Sequence, residues 1–223
     1  EPVDAASAAA WKTDQREITF QSGTTQPLAI QFGGKPIDDF YAYNNDGIPE
    51  RVPGMRMLVG DLRLRFTWFP DEGDGSLILA TNRDKDDFVA EIRVDGLVNV
   101  QGILPEAEIP GHRIVVGEKK LAAFALGKAV DVEFINLDYR VYLFINGEQV
   151  VVSDDRYAPR LAKLRHMVEV SLQGEDPTDD VRPSQVKIAA RQMRGRLRHV
   201  VLERDVYYRS QKQLEPGAPY QNW

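Results

Sequence analysis

The sequence predicts an all-β protein, folded as a two-sheet antiparallel sandwich with minor helix. Three observations predict it. Apolar and polar residues alternate with period two in short segments along most of the 223 residues. Turn signals rich in Gly, Asn and Asp separate these segments at regular spacing. Almost no stretch repeats at the helical period of about 3.6 residues. No mid-chain segment has a linker's composition, so residues 1–223 read as one domain, with 1–15 as a lead-in and 210–223 as a linker-like tail.

The elements follow in order. Glu1 to Ala10 is Ala-rich and frames a short helix or a frayed lead-in. Ile18 and Phe20, then Leu28, Ile30 and Phe32, alternate with polar residues as two short strands. Pro36 to Gly54 is a long loop, rich in Gly, Pro, Asn and Asp, yet holding Phe40, Tyr41 and Tyr43. From Val59 the pattern is clean, with Leu62, Leu64, Phe66 and Trp68 on one face of a strand and Arg63, Arg65 and Thr67 on the other. The turn Asp71 to Gly75 leads to a strand at Leu77 and Leu79, and the charged turn Asn82 to Asp87 to another at Phe88, Ala90, Ile92 and Val94. Asp95-Gly96 turns into a strand at Val98 and Val100; Arg113 to Val116 is brief, and Leu121 to Leu126 suits either a helical turn or a strand.

The clearest segment is 131–152. Val141, Leu143 and Ile145 point to one side of a strand and Tyr142 and Phe144 to the other. Both sides are apolar, which predicts a strand covered on both faces in the middle of the fold. Asn146-Gly147 accepts positive φ at both central positions of a type I′ turn, so the chain reverses into Glu148 to Val152. With Val132 and Phe134 before it, this is a three-strand meander. Beyond it, Ala158 to Arg165 favours a helix, His166 to Leu172 a strand, and Gly174 to Ser184 a loop. Two last strands follow, one at Val186, Ile188 and Ala190 and one from Gly195 to Tyr208.

Composition excludes several functions. A formal net charge of -6 argues against a nucleic-acid groove or an anionic membrane surface as partner. The absence of cysteine excludes disulfides, thiolate nucleophiles and Cys-ligated zinc. No run approaches the roughly 20 apolar residues that cross a bilayer. The chain opens at Glu1 without methionine and reads as a fragment of a longer protein, so an anchor elsewhere in the parent is compatible with it.

No catalytic set is assembled along the chain. His112, His166 and His199 lie far apart, without the spacing of a zinc site. Ser76 lacks the frame of a nucleophile elbow, and no SxxK occurs. Glu91, Glu133 and Glu169 would serve glycoside hydrolysis only if two faced one cleft, and they read better as strand-face charge. Structural calcium is the one cofactor left open, since Asn44 to Gly47, Asp71 to Asp74, Asp84 to Asp87 and Glu175 to Asp180 concentrate oxygen ligands. Arg191, Arg194, Arg196 and Arg198 make a basic patch without interleaved aromatics, which suits salt bridges on an outer face. A carbohydrate site wants aromatic, Asn and Asp side chains on a sheet face or loop rim. Tyr41, Tyr43, Asn44, Asn45 and Trp68 are the candidate ligand-facing residues.

The phrases DFYAYNN (Asp39 to Asn45), VGDLRLRFTW (Val59 to Trp68), VEFINLDYRVYLFINGEQVV (Val132 to Val151) and LERDVYYR (Leu202 to Arg209) resemble the large domain inserted in certain bacterial type I signal peptidases. The middle portion is also similar to concanavalin A-like and laminin G-like jelly-roll sandwiches. The peptidase resemblance implies a membrane-anchored parent that cleaves signal peptides with a Ser-Lys dyad on the extracytoplasmic, periplasmic side. Neither the nucleophile segment nor the lysine segment of that family is present, so no catalytic or cofactor-binding residue carries over. The resemblance thus implies a non-catalytic accessory domain, itself soluble, with exported preproteins or glycan as partners. The alternative is a concanavalin-like carbohydrate-binding or glycoside-hydrolase-related domain, and a third reading is a scaffold module without a ligand.

Overall fold

A computed structural model describes residues 1–14, 16–33, 37–39, 57–83, 85–103, 113–138, 140–154 and 182–205. The lead-in forms helix α1 (Ala5–Ala10), capped by Asp4, whose carboxylate accepts the Ser7 N–H at 2.7 Å. Strands β1 (Trp11–Thr13), β2 (Glu17–Ser22) and β3 (Leu28–Gln31) follow, and β4 (Asp38–Asp39) pairs with β5 (Met57–Leu58). The body is β6 (Leu62–Arg83), β7 (Asp86–Arg93), β8 (Leu97–Ile103), β9 (Arg113–Lys120), β10 (Val130–Leu137), β11 (Arg140–Ile145), β12 (Glu148–Val152) and β13 (Val186–Arg204).

All pairings are antiparallel, and they divide into two layers that share two strands. One layer runs β1-β2-β13-β6-β10-β11-β12. The other runs β3-β13-β6-β7-β8-β9. β6 and β13 belong to both because they are 22 and 19 residues long and bend from one sheet into the other. At the opposite side of the sandwich the edge strands β9 and β12 pack together, with Gly117 against the Val151 side chain.

The bend replaces two expected features. Asp71 to Gly75 was predicted to be a turn and is instead the middle of β6; the two C-terminal strands expected at Val186 and Gly195 are one continuous β13. Inward positions on β6 are Leu62, Leu64, Phe66 and Trp68 before the bend but Leu77, Leu79 and Thr81 after it. β13 changes parity at the same place, from Val186, Ile188 and Ala190 to Met193, Gly195 and Leu197. An extra residue in a strand moves every later side chain to the other face. Gln192, with φ 51°, is that residue in β13, and the register against β6 slips between Arg191 and Met193. Gly73 has φ 95°, and at Gly75 the β13 backbone comes so close that any Cβ would run into the Arg191 carbonyl.

The interior between the layers is apolar, with Trp68, Leu77, Leu79, Phe88, Ile92, Leu143 and Leu197 fully buried. The meander forms as expected, and β11 is fully buried on one side and partly buried on the other. Val141, Leu143 and Ile145 are buried, whereas Tyr142 and Phe144 are half-buried on the outside of the sheet. Leu121 to Leu126 is neither helix nor strand; Phe124 N–H bonds to the Val94 carbonyl, and its ring meets Trp68 edge-on at 5.6 Å. The helix expected at 158–165 and the strand at 166–172 lie outside the described residues.

One end of the sandwich is tied by Asp61. Its carboxylate takes a charge-assisted hydrogen bond from Arg83 at the far end of β6 and another from the Asp138 N–H in the β10–β11 turn. Its carbonyl accepts from Asp205 N–H just past β13. Burial holds the Asp61 carboxyl above its ordinary value, partly opposed by Arg83.

Two outcomes test this architecture. Gly75→Ala is expected to lose about 3 kcal/mol or more in urea unfolding, because backbone must move to admit the methyl. Gly23→Ala, which meets nothing within 4 Å, should stay within about 0.5 kcal/mol of the parent. For Asp61 the folded chain binds a proton more readily than the unfolded chain, so its contribution to stability declines as pH rises above 3.8. The stability of the parent relative to Asp61→Asn, measured by denaturant unfolding across pH, should therefore fall on the alkaline side of that value; a flat difference would contradict the raised carboxyl.

Candidate functional site

The outer face of the β1-to-β12 sheet carries most of the chemistry in the described residues. Positions that alternate with the core point outward, and the register aligns them in rows. One row crosses Val201, Arg65, Glu133, Phe144 and Gln149; the next crosses Glu203, Arg63, Ile135, Tyr142 and Val152. A third places Glu17, Arg198, Thr67 and Asp131 side by side.

The charged part of this face is a lattice. Arg63 donates to Glu133 at 2.7 Å and sits 3.4 Å from Glu203, which also receives Arg65 at 3.3 Å. Thr67 donates its hydroxyl to Asp131 at 2.8 Å, and Arg198 reaches Glu17 at 2.6 Å. Arg196 pairs with Asp71 at 3.1 Å and lies 4.6 Å over the Phe69 ring, with Arg198 over the same ring at 5.4 Å. The basic patch thus does what its sequence setting suggested, pairing with neighbouring carboxylates. Each exposed pair adds little stability, but together they hold donors and acceptors in fixed places.

Next to the lattice, Tyr142 and Phe144 form an aromatic platform. Being two apart on one strand, they project from the same face, and their rings stack at 6.3 Å with 24° between planes. Ile135, exposed Leu137 and exposed Val152 extend the apolar surface. The sheet therefore offers flat apolar rings beside ordered guanidinium and carboxylate groups.

Of the candidate ligand-facing residues, Trp68 alone is among the described ones. Trp68 is 0% exposed, because even-numbered positions of early β6 face the core; its indole N–H has no partner there. It is a core residue and not a ligand contact. Tyr41, Tyr43, Asn44 and Asn45 lie outside the described residues, as do His112, His166 and Glu169. Glu91 and Glu133 cannot share a cleft: each is on the outward face of a different sheet, with Glu91 held by Arg191 and Glu133 by Arg63. Ser76 accepts a hydrogen bond from Arg191 Nε at 2.9 Å, so a cation rather than a base is directed at its oxygen. Of the acidic loops, Asp71 and Glu72 are engaged by Arg196 and Arg194, and Asp87 by Arg182. Among the described residues no three acidic or histidine side chains cluster as metal ligands would.

No protein-family model matches the chain, and no curated protein matches it. Solved structures do. Carbohydrate-binding module CBM66 from Bacillus subtilis is 11% identical, covers 91% of this chain and 94% of its own, and gives a TM-score of 0.51. A galectin from Caenorhabditis elegans is 15% identical over 85% of this chain and 99% of its own, with a TM-score of 0.39. A SAP-like pentraxin from Limulus polyphemus is 12% identical over 86% of this chain and 77% of its own, at 0.45. At such identities the first likeness establishes the fold alone, a concanavalin-like jelly-roll sandwich. Nothing in these comparisons links the chain to signal peptidase I.

The ion-pair lattice carries its own test. A double-mutant cycle on Arg63→Ala and Glu133→Ala should return a coupling of about 1 kcal/mol or less, shrinking with added salt, since the two side chains are 44% and 30% exposed.

Proposed function

We propose that this chain is a non-catalytic carbohydrate-binding sandwich that holds a glycan across the outer face of its seven-stranded sheet. The observation that carries the reading is the Tyr142–Phe144 platform, partly buried and bordered by fixed polar groups. A sugar ring has an apolar C–H face, which suits the electron-rich face of an aromatic ring, and a rim of hydroxyls, which suits guanidinium, carboxylate and amide groups. Because Arg63 is held by Glu133 and Glu203, and Arg65 by Glu203, a ligand orders few side chains on arrival. Likeness of fold to a carbohydrate-binding module supports the reading.

A place beside the catalytic domain of a signal-peptidase-like, membrane-anchored parent, on the extracytoplasmic side and near exported preproteins, rests on the sequence resemblance. Of its LERDVYYR phrase, Leu202 to Arg204 close β13 and serve the sheet structurally.

The test is a glycan array followed by calorimetry on the hits. Parent protein should bind at least one polysaccharide, and Tyr142→Ala or Phe144→Ala should weaken it about tenfold, the loss of roughly one stacking contact. Far-UV circular dichroism should not change. Absence of any glycan ligand, or undiminished affinity in both variants, would overturn the proposal.

A further inference from the structure

Three strands from the platform, on the β2 and β13 side of the same sheet, the surface opens into a cleft of about 770 Å³. Pairing of β13 with β2 stops at Arg198 and Glu17, and the register of β13 against β6 slips between Arg198 and Val201. His199 sits in that slip with φ 52°, a left-handed conformation in mid-strand that costs backbone energy and turns the residue out of the ladder. Asp14, Arg16, Glu17, Ile18, Arg198, His199 and Val200 line the space.

The charges in the cleft are unevenly satisfied. Glu17 is engaged by Arg198 at 2.6 Å and by Arg196 at 3.7 Å. Arg16 and His199, in contrast, have no ion pair or side-chain hydrogen bond among the described residues. Exposed Val200 supplies apolar surface next to them, with Ile18, which packs against the core, behind it. A free guanidinium and an imidazole against apolar surface fit a carboxylate carried on a ring body, since guanidinium binds carboxylate through two parallel N–H donors. Phe144 stands three strands from β13, about 14 Å at a strand spacing of about 4.8 Å, within reach of one short oligosaccharide lying across the sheet.

We infer that this cleft is an anion subsite and that the glycan is acidic, its carboxylate held by Arg16 and His199 while a ring further along the same oligosaccharide stacks on Tyr142 and Phe144. The inference rests on the carbohydrate-binding reading above and adds the class of saccharide and its direction on the sheet. Glu17 has a part in it too: by neutralising Arg198, it leaves Arg16 as the cation that selects.

Calorimetry with oligomers of galacturonate, glucuronate and mannuronate, each against its own methyl ester, separates the two ideas, because esterification removes charge and keeps the sugar. The parent protein should bind at least one acid about tenfold or more tightly than its ester. Arg16→Gln, and His199→Asn, which tolerates positive φ, should bring the acid down to the ester's affinity with unchanged thermal unfolding. Equal affinity for acid and ester in the parent protein, or an acid preference that survives Arg16→Gln, would overturn the subsite while leaving platform binding intact. No binding of acid, ester or any arrayed glycan would overturn both.

Discussion

The close approach of β6 and β13 at their shared bend is the constraint on which the rest of the sandwich depends. Two long strands pass from one layer to the other together, and each must shift its inward parity at the same level or one layer would present charge to the core. Gly73 and Gly75 make room on β6, and Gln192 absorbs the extra residue on β13. The alternation then resumes, with Leu77 and Leu79 facing in on one strand and Met193 and Leu197 on the other. Every outward residue used by the proposed site, from Arg65 to Arg198, inherits its direction from that correction.

The outer face shows how a sheet can be polar without being loose. Exposed ion pairs contribute little to folding individually. Their effect here is geometric, because Arg63, Arg65, Glu133 and Glu203 restrain one another across three strands. The aromatic pair lacks such restraint on its solvent side and depends on the strand for its coplanarity. Preorganised polar groups next to adaptable ring surface is an arrangement suited to ligands with alternating apolar and hydroxylated faces.

Much of the fold was legible because period-two alternation is a direct consequence of the pleat: the meander at 131–152, the strands from Leu62 and Phe88, and the turns at Asp95-Gly96 and Asn146-Gly147 all follow from it. What alternation does not encode is a strand that bends without stopping. Asp71 to Gly75 has the composition of a turn, and only the opposing β13 backbone makes it a corner. The site was legible in part. Arg196 and Arg198 were readable as outer-face pairs, whereas Trp68, an aromatic of the right type, lies on the inward parity of its own strand. Tyr142 and Phe144 show the limit of a local pattern: apolar residues on both sides of a strand read as burial on both, and the sequence carries no mark that one side is buried completely and the other in part. The cleft at His199 depends on the register slip of β13 against β6 and on the pairing of β13 with β2, whose Glu17 and Arg198 are 181 residues apart, a relation invisible to any local window.

That separation also sets a schedule. β13 lies between β6 on one side and β2 and β3 on the other, so the first strands to be made wait for the last one to find their place. Until residue 204 has left the ribosome, β2 has β1 beside it but lacks β13, β3 lacks β13 as well, and one side of β6 is open along its length. Completion of the sheet waits on closure of a very long loop, and until then the chain carries unpaired strand edges that invite wrong partners.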